Sequence, residues 1–80
     1  MKVSLVTPEK ELFNGEISLI ALPGVDGSFE LMNNHAPIIS ALGEGTIKIV
    51  ETSGAEHFFD IKNGVVECSK NNVIVLAEEK

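Results

Sequence analysis

What most limits the folds open to this chain is how often Gly, Pro and Asn interrupt it. They fall at Pro8, Asn14-Gly15, Pro23-Gly24, Gly27, Asn33-Asn34, Pro37, Gly43, Gly45, Gly54, Asn63-Gly64 and Asn71-Asn72, and no stretch between them exceeds eight residues. Ordinary helices need about 10 to 12 residues, whereas strands average about 5 or 6. The interruptions alone therefore argue for an all-β domain. The intervals agree in composition, since Val3-Ser4-Leu5-Val6, Ile17 to Leu22, Ile47-Lys48-Ile49-Val50 and Val73-Ile74-Val75-Leu76 are rich in residues whose stiff or branched side chains suit a pleated surface.

Turn chemistry refines this reading. Asn14-Gly15 and Asn63-Gly64 predict hairpins, because a type I′ turn needs positive φ at both central positions. Pro23-Gly24 predicts a type II turn, with Pro presetting φ and Gly accepting the positive φ that follows. Regular turns between short strands predict a sandwich or barrel of about nine or ten strands. Alternation assigns faces in two of them: Ile47 and Ile49 oppose Thr46 and Lys48, and His57, Phe59 and Ile61 oppose Glu56, Phe58 and Asp60. Val73 to Ala77 does not alternate. Such a strand either lies central in the core or has one face covered by another chain, and the residues leave both readings open.

With 80 residues there is room for one domain only, residues 1–80, and a domain of this size buries about 60% of its surface. Its stability is correspondingly marginal, so surface buried on a partner matters to it. Twelve Asp and Glu against six Lys and Arg give a charge of −6, which opposes binding to nucleic-acid backbones and anionic lipid. The N-terminus Met1-Lys2-Val3-Ser4 lacks the apolar core of a signal peptide, and a single cysteine, Cys68, allows no intrachain disulfide. The expectation is an unexported chain in a reducing cytosol.

Candidate chemistry is sparse. His35 and His57 have no second His or Cys at a zinc-binding spacing, and Cys68 sits in the apolar interval Val65 to Ser69 without a cationic neighbour to lower its pKa. Two glycines make Gly24-Val25-Asp26-Gly27 resemble a phosphate loop, but Asp26 would repel the anion. The acidic pairs Glu9 and Glu11, and Glu78 and Glu79, have no evident cleft to perturb them. No metal, cofactor or catalytic residue is expected, and the reading is a binding or structural domain. Two rivals stay open: a lipoyl- or biotinyl-type carrier modified at Lys62 beside the Asn63-Gly64 turn, and a small hydrolase or isomerase using His35 or His57 with a carboxylate and a nucleophile.

The motifs Val6-Thr7-Pro8-Glu9-Lys10, Leu12-Phe13, Gly15-Glu16, Pro23-Gly24, Gly27, Phe29, His35-Ala36-Pro37 and Ala41-Leu42, then Gly64, Glu67, Asn72-Val73 and Val75-Leu76-Ala77, occur in an order that resembles the ε subunit of F-type ATP synthases. The resemblance runs the length of that family's N-terminal domain. It implies a sandwich of two antiparallel sheets with about ten strands. It further implies a place at the foot of the central stalk, on the cytoplasmic face of the bacterial inner membrane, gripping the γ subunit and resting on the c-ring. Such a subunit breaks no bonds; it helps couple rotation driven by protons or sodium ions to ATP synthesis.

Carried over position by position, the resemblance implies that Val25, Asp26, Gly27 and Ser28 meet the c-ring. It implies likewise that His35, Ala36 and Pro37, with Met32 nearby, meet γ. The chain departs from the family pattern at Glu30, where a glycine is usual, and at Asn33-Asn34, which replaces Pro-Gly. Gly43-Glu44-Gly45 replaces Lys-Pro-Gly, and Asn63 replaces the first of two glycines. The C-terminal helical hairpin of most members, with its inhibition of hydrolysis and its ATP binding, is expected to be absent, because the sequence stops at Lys80 directly after the last strand.

Overall fold

In the computed structural model, which describes residues 1–80, the chain forms seven strands and no helix. In order they are β1 (Lys2–Val6), β2 (Glu11–Gly24), β3 (Gly27–Met32), β4 (Ile38–Leu42), β5 (Gly45–Glu51), β6 (Glu56–Ser69) and β7 (Asn72–Glu79). Two of them, β2 and β6, are 14 residues long and serve both layers of a sandwich. The first half of β2 pairs with β1, and its second half with β3 and β5. The first half of β6 pairs with β5, and its second half with β4 and β7. One layer thus reads β3-β2-β5-β6 and the other β4-β6-β7-β1-β2.

The sequence-based count of about ten short strands is corrected by these two long elements. Neither Asn14-Gly15 nor Asn63-Gly64 is a hairpin turn. Asn14 and Gly15 pair with Ser4 and Val3 inside the β1–β2 ladder, and Gly64 pairs with Leu42 on one side and Ala77 on the other. Ladder pairing, with one neighbour at Asn14-Gly15 and two at Gly64, outweighs a local turn preference that contributes little by itself. What marks the second dipeptide is a bend: the β6–β7 register slips between Ile61 and Asn63, the signature of a bulge where a strand changes sheets. In β2 the corresponding slip lies between Ile17 and Leu19, where the Ser18 hydroxyl donates to Val50 O at 3.2 Å.

The true type I′ turn is Lys70-Asn71, with φ of 51° and 62°, closing the β6–β7 hairpin between Ser69 and Asn72. The turn predicted at Pro23-Gly24 is moved to Val25-Asp26: Pro23 and Gly24 stay in β2, and the positive φ is at Gly27. A further correction concerns strand direction, because β1 and β7 run parallel. Parallel neighbours need a long crossover. Here the rest of the domain supplies it, as the first and last strands close the second layer side by side.

Inward positions of both layers build a single core. Val3 and Leu5 of β1, Ile17, Ile20 and Leu22 of β2, Leu31, Ile47, Ile49, Ile61, Val66, Val73 and Val75 are almost wholly buried. The alternation assigned to β5 and to the first half of β6 is observed, with Ile47, Ile49 and Ile61 inside.

Candidate partner-binding surface

In β7 every second residue is buried: Val73, Val75 and Ala77 fill the core, while Ile74 and Leu76 point outward. Register extends that outward set across the layer. Ile74 lies between Glu67 of β6 and Ser4 of β1, and Glu67 is itself beside Ile39 of β4. Leu76 lies between Val65 and Val6, and Val65 is beside Ala41. Ile39, Ile74, Leu76 and Val65 are 74, 53, 46 and 42% exposed, so four of the seven large apolar residues left on the surface share this one face. Scattered single exposures are ordinary, but a contiguous patch marks a contact surface. At its Val65 and Leu76 end lies a shallow hollow of about 550 Å³ that extends over Gly64.

Gly64 makes that hollow possible. A Cβ there would stand 2.7 Å from Leu76 O and 3.1 Å from Ala77 Cα, so only glycine lets β6 and β7 approach this closely at the bend.

The opposite outer face is different. Lys48 and Glu56 form an ion pair at 3.6 Å, Thr46 donates to Asp60 at 2.7 Å, and Phe58 stands exposed among these charges. Met32 belongs to this second face, paired with Leu19. Of the residues assigned to γ from the sequence, the structure therefore keeps His35, Ala36 and Pro37 together in the exposed β3–β4 loop and sets the Met32 side chain on the other layer. Pro37 leads into Ile38 and Ile39 and borders a second hollow with Glu67, at the rim of the apolar face. The His35 Nδ1–H donates to Ala36 O at 2.7 Å, which turns Nε2 outward as an acceptor when the ring is neutral.

Val25, Asp26, Gly27 and Ser28 form the exposed tip of the β2–β3 hairpin. The base of this tip is braced. Val25 N donates to Ala41 O at 3.1 Å, Gly43 N donates to Pro23 O at 2.8 Å, and the Phe29 ring covers Gly24 so closely that a Cβ there would meet it at 2.8 Å.

Chemistry-bearing residues do not converge. His57 Nε2 is 2.5 Å from Glu51 Oε2 and its ring stacks at a tilt on Phe13, with centroids 5.0 Å apart, but no hydroxyl or thiol bonds to the imidazole. His35 is on a separate loop, and Cys68 is buried in the core. No three His, Cys, Asp or Glu side chains come together as a metal site. Lys62 occupies the bend inside β6 and not a hairpin tip, which removes the geometry a carrier domain requires. At the far end, Lys80 Nζ meets Glu44 Oε2 at 2.5 Å, holding the Glu44 carboxyl below its usual range and raising the Lys80 ammonium. Both groups are fully exposed, and water screens their attraction.

These features define a β-sandwich with a contiguous apolar outer face, an exposed loop at its rim and a braced hairpin tip. A family model described as "ATP synthase, Delta/Epsilon chain, beta-sandwich domain" matches residues 1–80, and the chain belongs to that family. It is 38% identical over 78 residues to the ATP synthase epsilon chain of Chlorobium limicola, covering 98% of this chain and 89% of that relative. It is 39% identical to that of Caulobacter vibrioides, covering 94% and 86%. The fold is also similar to a chain in the central stalk and c-ring structure of Tetrahymena thermophila mitochondrial ATP synthase. There the TM-score is 0.82 and the identity 25%, with 99% of this chain and 63% of that one covered.

The apolar face was the part that sequence reasoning did not resolve. Its signal was present in the unbroken run Val73 to Ala77, but only the neighbouring strands, through Ile39 and Val65, turn two outward residues into a patch.

Proposed function

We propose that this chain is a rotor subunit of a membrane-bound ATP synthase, on the cytoplasmic face of the bacterial inner membrane. It grips γ, rests on the c-ring and helps couple ion-driven rotation to ATP synthesis in the catalytic head. The observation that carries the reading is the contiguous apolar face of β4, β6, β7 and β1, which a marginally stable domain gains from covering. In this reading γ lies across Ile39, Val65, Ile74 and Leu76 and is met at the rim by His35, Ala36 and Pro37, while Met32, whose side chain is on the other layer, lies outside the contact. The hairpin tip from Val25 to Ser28 meets polar loops of the ring.

A part that transmits rotation has to resist deformation. Close packing supplies the stiffness, and closure of both layers through β2 and β6 leaves few free edges to yield. Asp26 makes no ion pair within the chain, so its carboxylate is available to a basic or polar group on the ring.

Asp26→Lys is expected to weaken association with a c-ring and γ assembly about fivefold at low salt, an effect typical of reversing one rim charge, with an unchanged unfolding midpoint. Undiminished ring association of this variant would refute the tip assignment. His35→Asp and Pro37→Glu are each expected to weaken binding to a γ-containing head about tenfold, measured by surface-immobilised titration. Wild-type affinity in both would remove the loop from the γ contact.

A further inference from the structure

The loop from Asn33 to Pro37 lies outside every strand and all five of its residues are exposed, so little of its order comes from burial or ladder bonds. Fixing a residue's backbone carries an entropic cost, and a loop this exposed stays ordered only where specific bonds hold it. One such bond spans 37 positions: the Asn34 N–H donates to Asn71 Oδ1 at 2.8 Å. Asn34 itself has φ of 65°, a left-handed conformation that a non-glycine residue holds at some cost. Asn71, with φ of 62°, is the second central residue of the β6–β7 type I′ turn, and its carbonyl accepts Lys2 N–H at 3.2 Å. Two further ties act on neighbouring positions of the same loop, a charge-assisted one from the Met1 ammonium to Asn33 Oδ1 at 2.5 Å and one from His35 N to Met32 O at 3.2 Å, and neither reaches Asn34.

We infer that Asn71 is a positioning residue for the γ contact. Its backbone makes the hairpin turn, and its side chain latches Asn34 so that His35, Ala36 and Pro37 meet the partner already ordered. The inference rests on the reading of that loop as a γ contact. Its physical content is preorganisation: a loop latched before binding loses less freedom on docking, and that saving appears as affinity.

Asn71→Gly isolates the latch. Glycine accepts the positive φ and keeps the backbone bond to Lys2, so the hairpin survives while the acceptor is lost. Asn71→Asp keeps an acceptor oxygen and also tolerates the left-handed region. Titrated onto a catalytic head that contains γ but lacks this subunit, Asn71→Gly is expected to bind about three- to tenfold more weakly. Hydrogen exchange at the Asn34 amide should be faster in the free variant, with exchange in the β7 core unchanged. Asn71→Asp should restore both the affinity and the Asn34 protection. The inference is overturned if Asn71→Gly binds like the wild type, if Asn71→Asp fails to rescue, or if Asn71→Gly unfolds the chain and so reveals a purely structural residue. Wild-type binding by both His35→Asp and Pro37→Glu is a separate result, which would remove the underlying loop contact whatever Asn71 does.

Discussion

Replacing both Ile74 and Leu76 with lysine is expected to weaken binding to a γ-containing head by at least about 100-fold while leaving the chain folded. Each side chain is about half exposed, so covering the remainder contributes roughly 1 kcal/mol apiece. The larger effect is repulsive, because two ammonium groups pressed against an apolar partner surface lose hydration without gaining a counter-charge, at a cost of several kcal/mol. The fold has reason to tolerate the change. Position 74 lies directly opposite Glu67, which gives a lysine there a cross-strand partner, and neither side chain contributes to the core. Binding titration together with thermal unfolding checks both halves of the expectation. Retained affinity in a folded variant would mean that the partner sits elsewhere.

Gly64→Val is expected to destabilise the chain by about 3 kcal/mol or more, a large share of what a domain this size possesses. Its Cβ would press on Leu76 O at 2.7 Å and Ala77 Cα at 3.1 Å, and backbone on a central strand cannot swing aside as a side-chain tip can. Gly15→Ala supplies the contrast. Its nearest neighbour would be the Phe13 ring at 3.7 Å, an ordinary contact, and φ there is not in the left-handed region. That substitution is expected to be neutral or to stabilise by up to about 1 kcal/mol, by restricting the unfolded chain. If both glycines sat in hairpin turns with positive φ, both substitutions would be damaging. Urea unfolding of the pair separates the two cases.

Those two glycines also explain how much of the architecture was legible. Asn-Gly twice suggested a hairpin, yet β1 holds the first dipeptide in a ladder and β4 and β7 flank the second, so tertiary pairing decided the outcome. The hairpin that does form at Lys70-Asn71 has no glycine, and the positive φ is carried there by a lysine and an asparagine, for which composition offers a weaker signal. By contrast, the all-β class followed securely from the spacing of Gly, Pro and Asn, since no interval allows an ordinary helix. The inner faces of β5 and β6 followed from alternation, because burial on one side leaves a period of two. The outward face of β7 could not be assigned from its own residues. Whether Ile74 and Leu76 enter the core or the surface depends on what lies above the strand, and a run of apolar residues is silent on that point. The hairpin tip and the His35 to Pro37 loop were singled out as candidates through motif order, and the bond from Asn34 to Asn71 could not be read from the sequence at all, because it joins residues 37 positions apart.

The central claim, that the face of β4, β6, β7 and β1 is where this subunit meets γ, is tested most directly by methyl-resolved NMR of the labelled chain bound to a γ-containing head. The account predicts a saturable one-to-one complex in which the methyl signals of Ile39, Val65, Ile74 and Leu76 shift while those of Val50, on the opposite outer face beside Glu56, stay in place. Shifts confined to Val50 and its neighbours, or no complex at all, would contradict it.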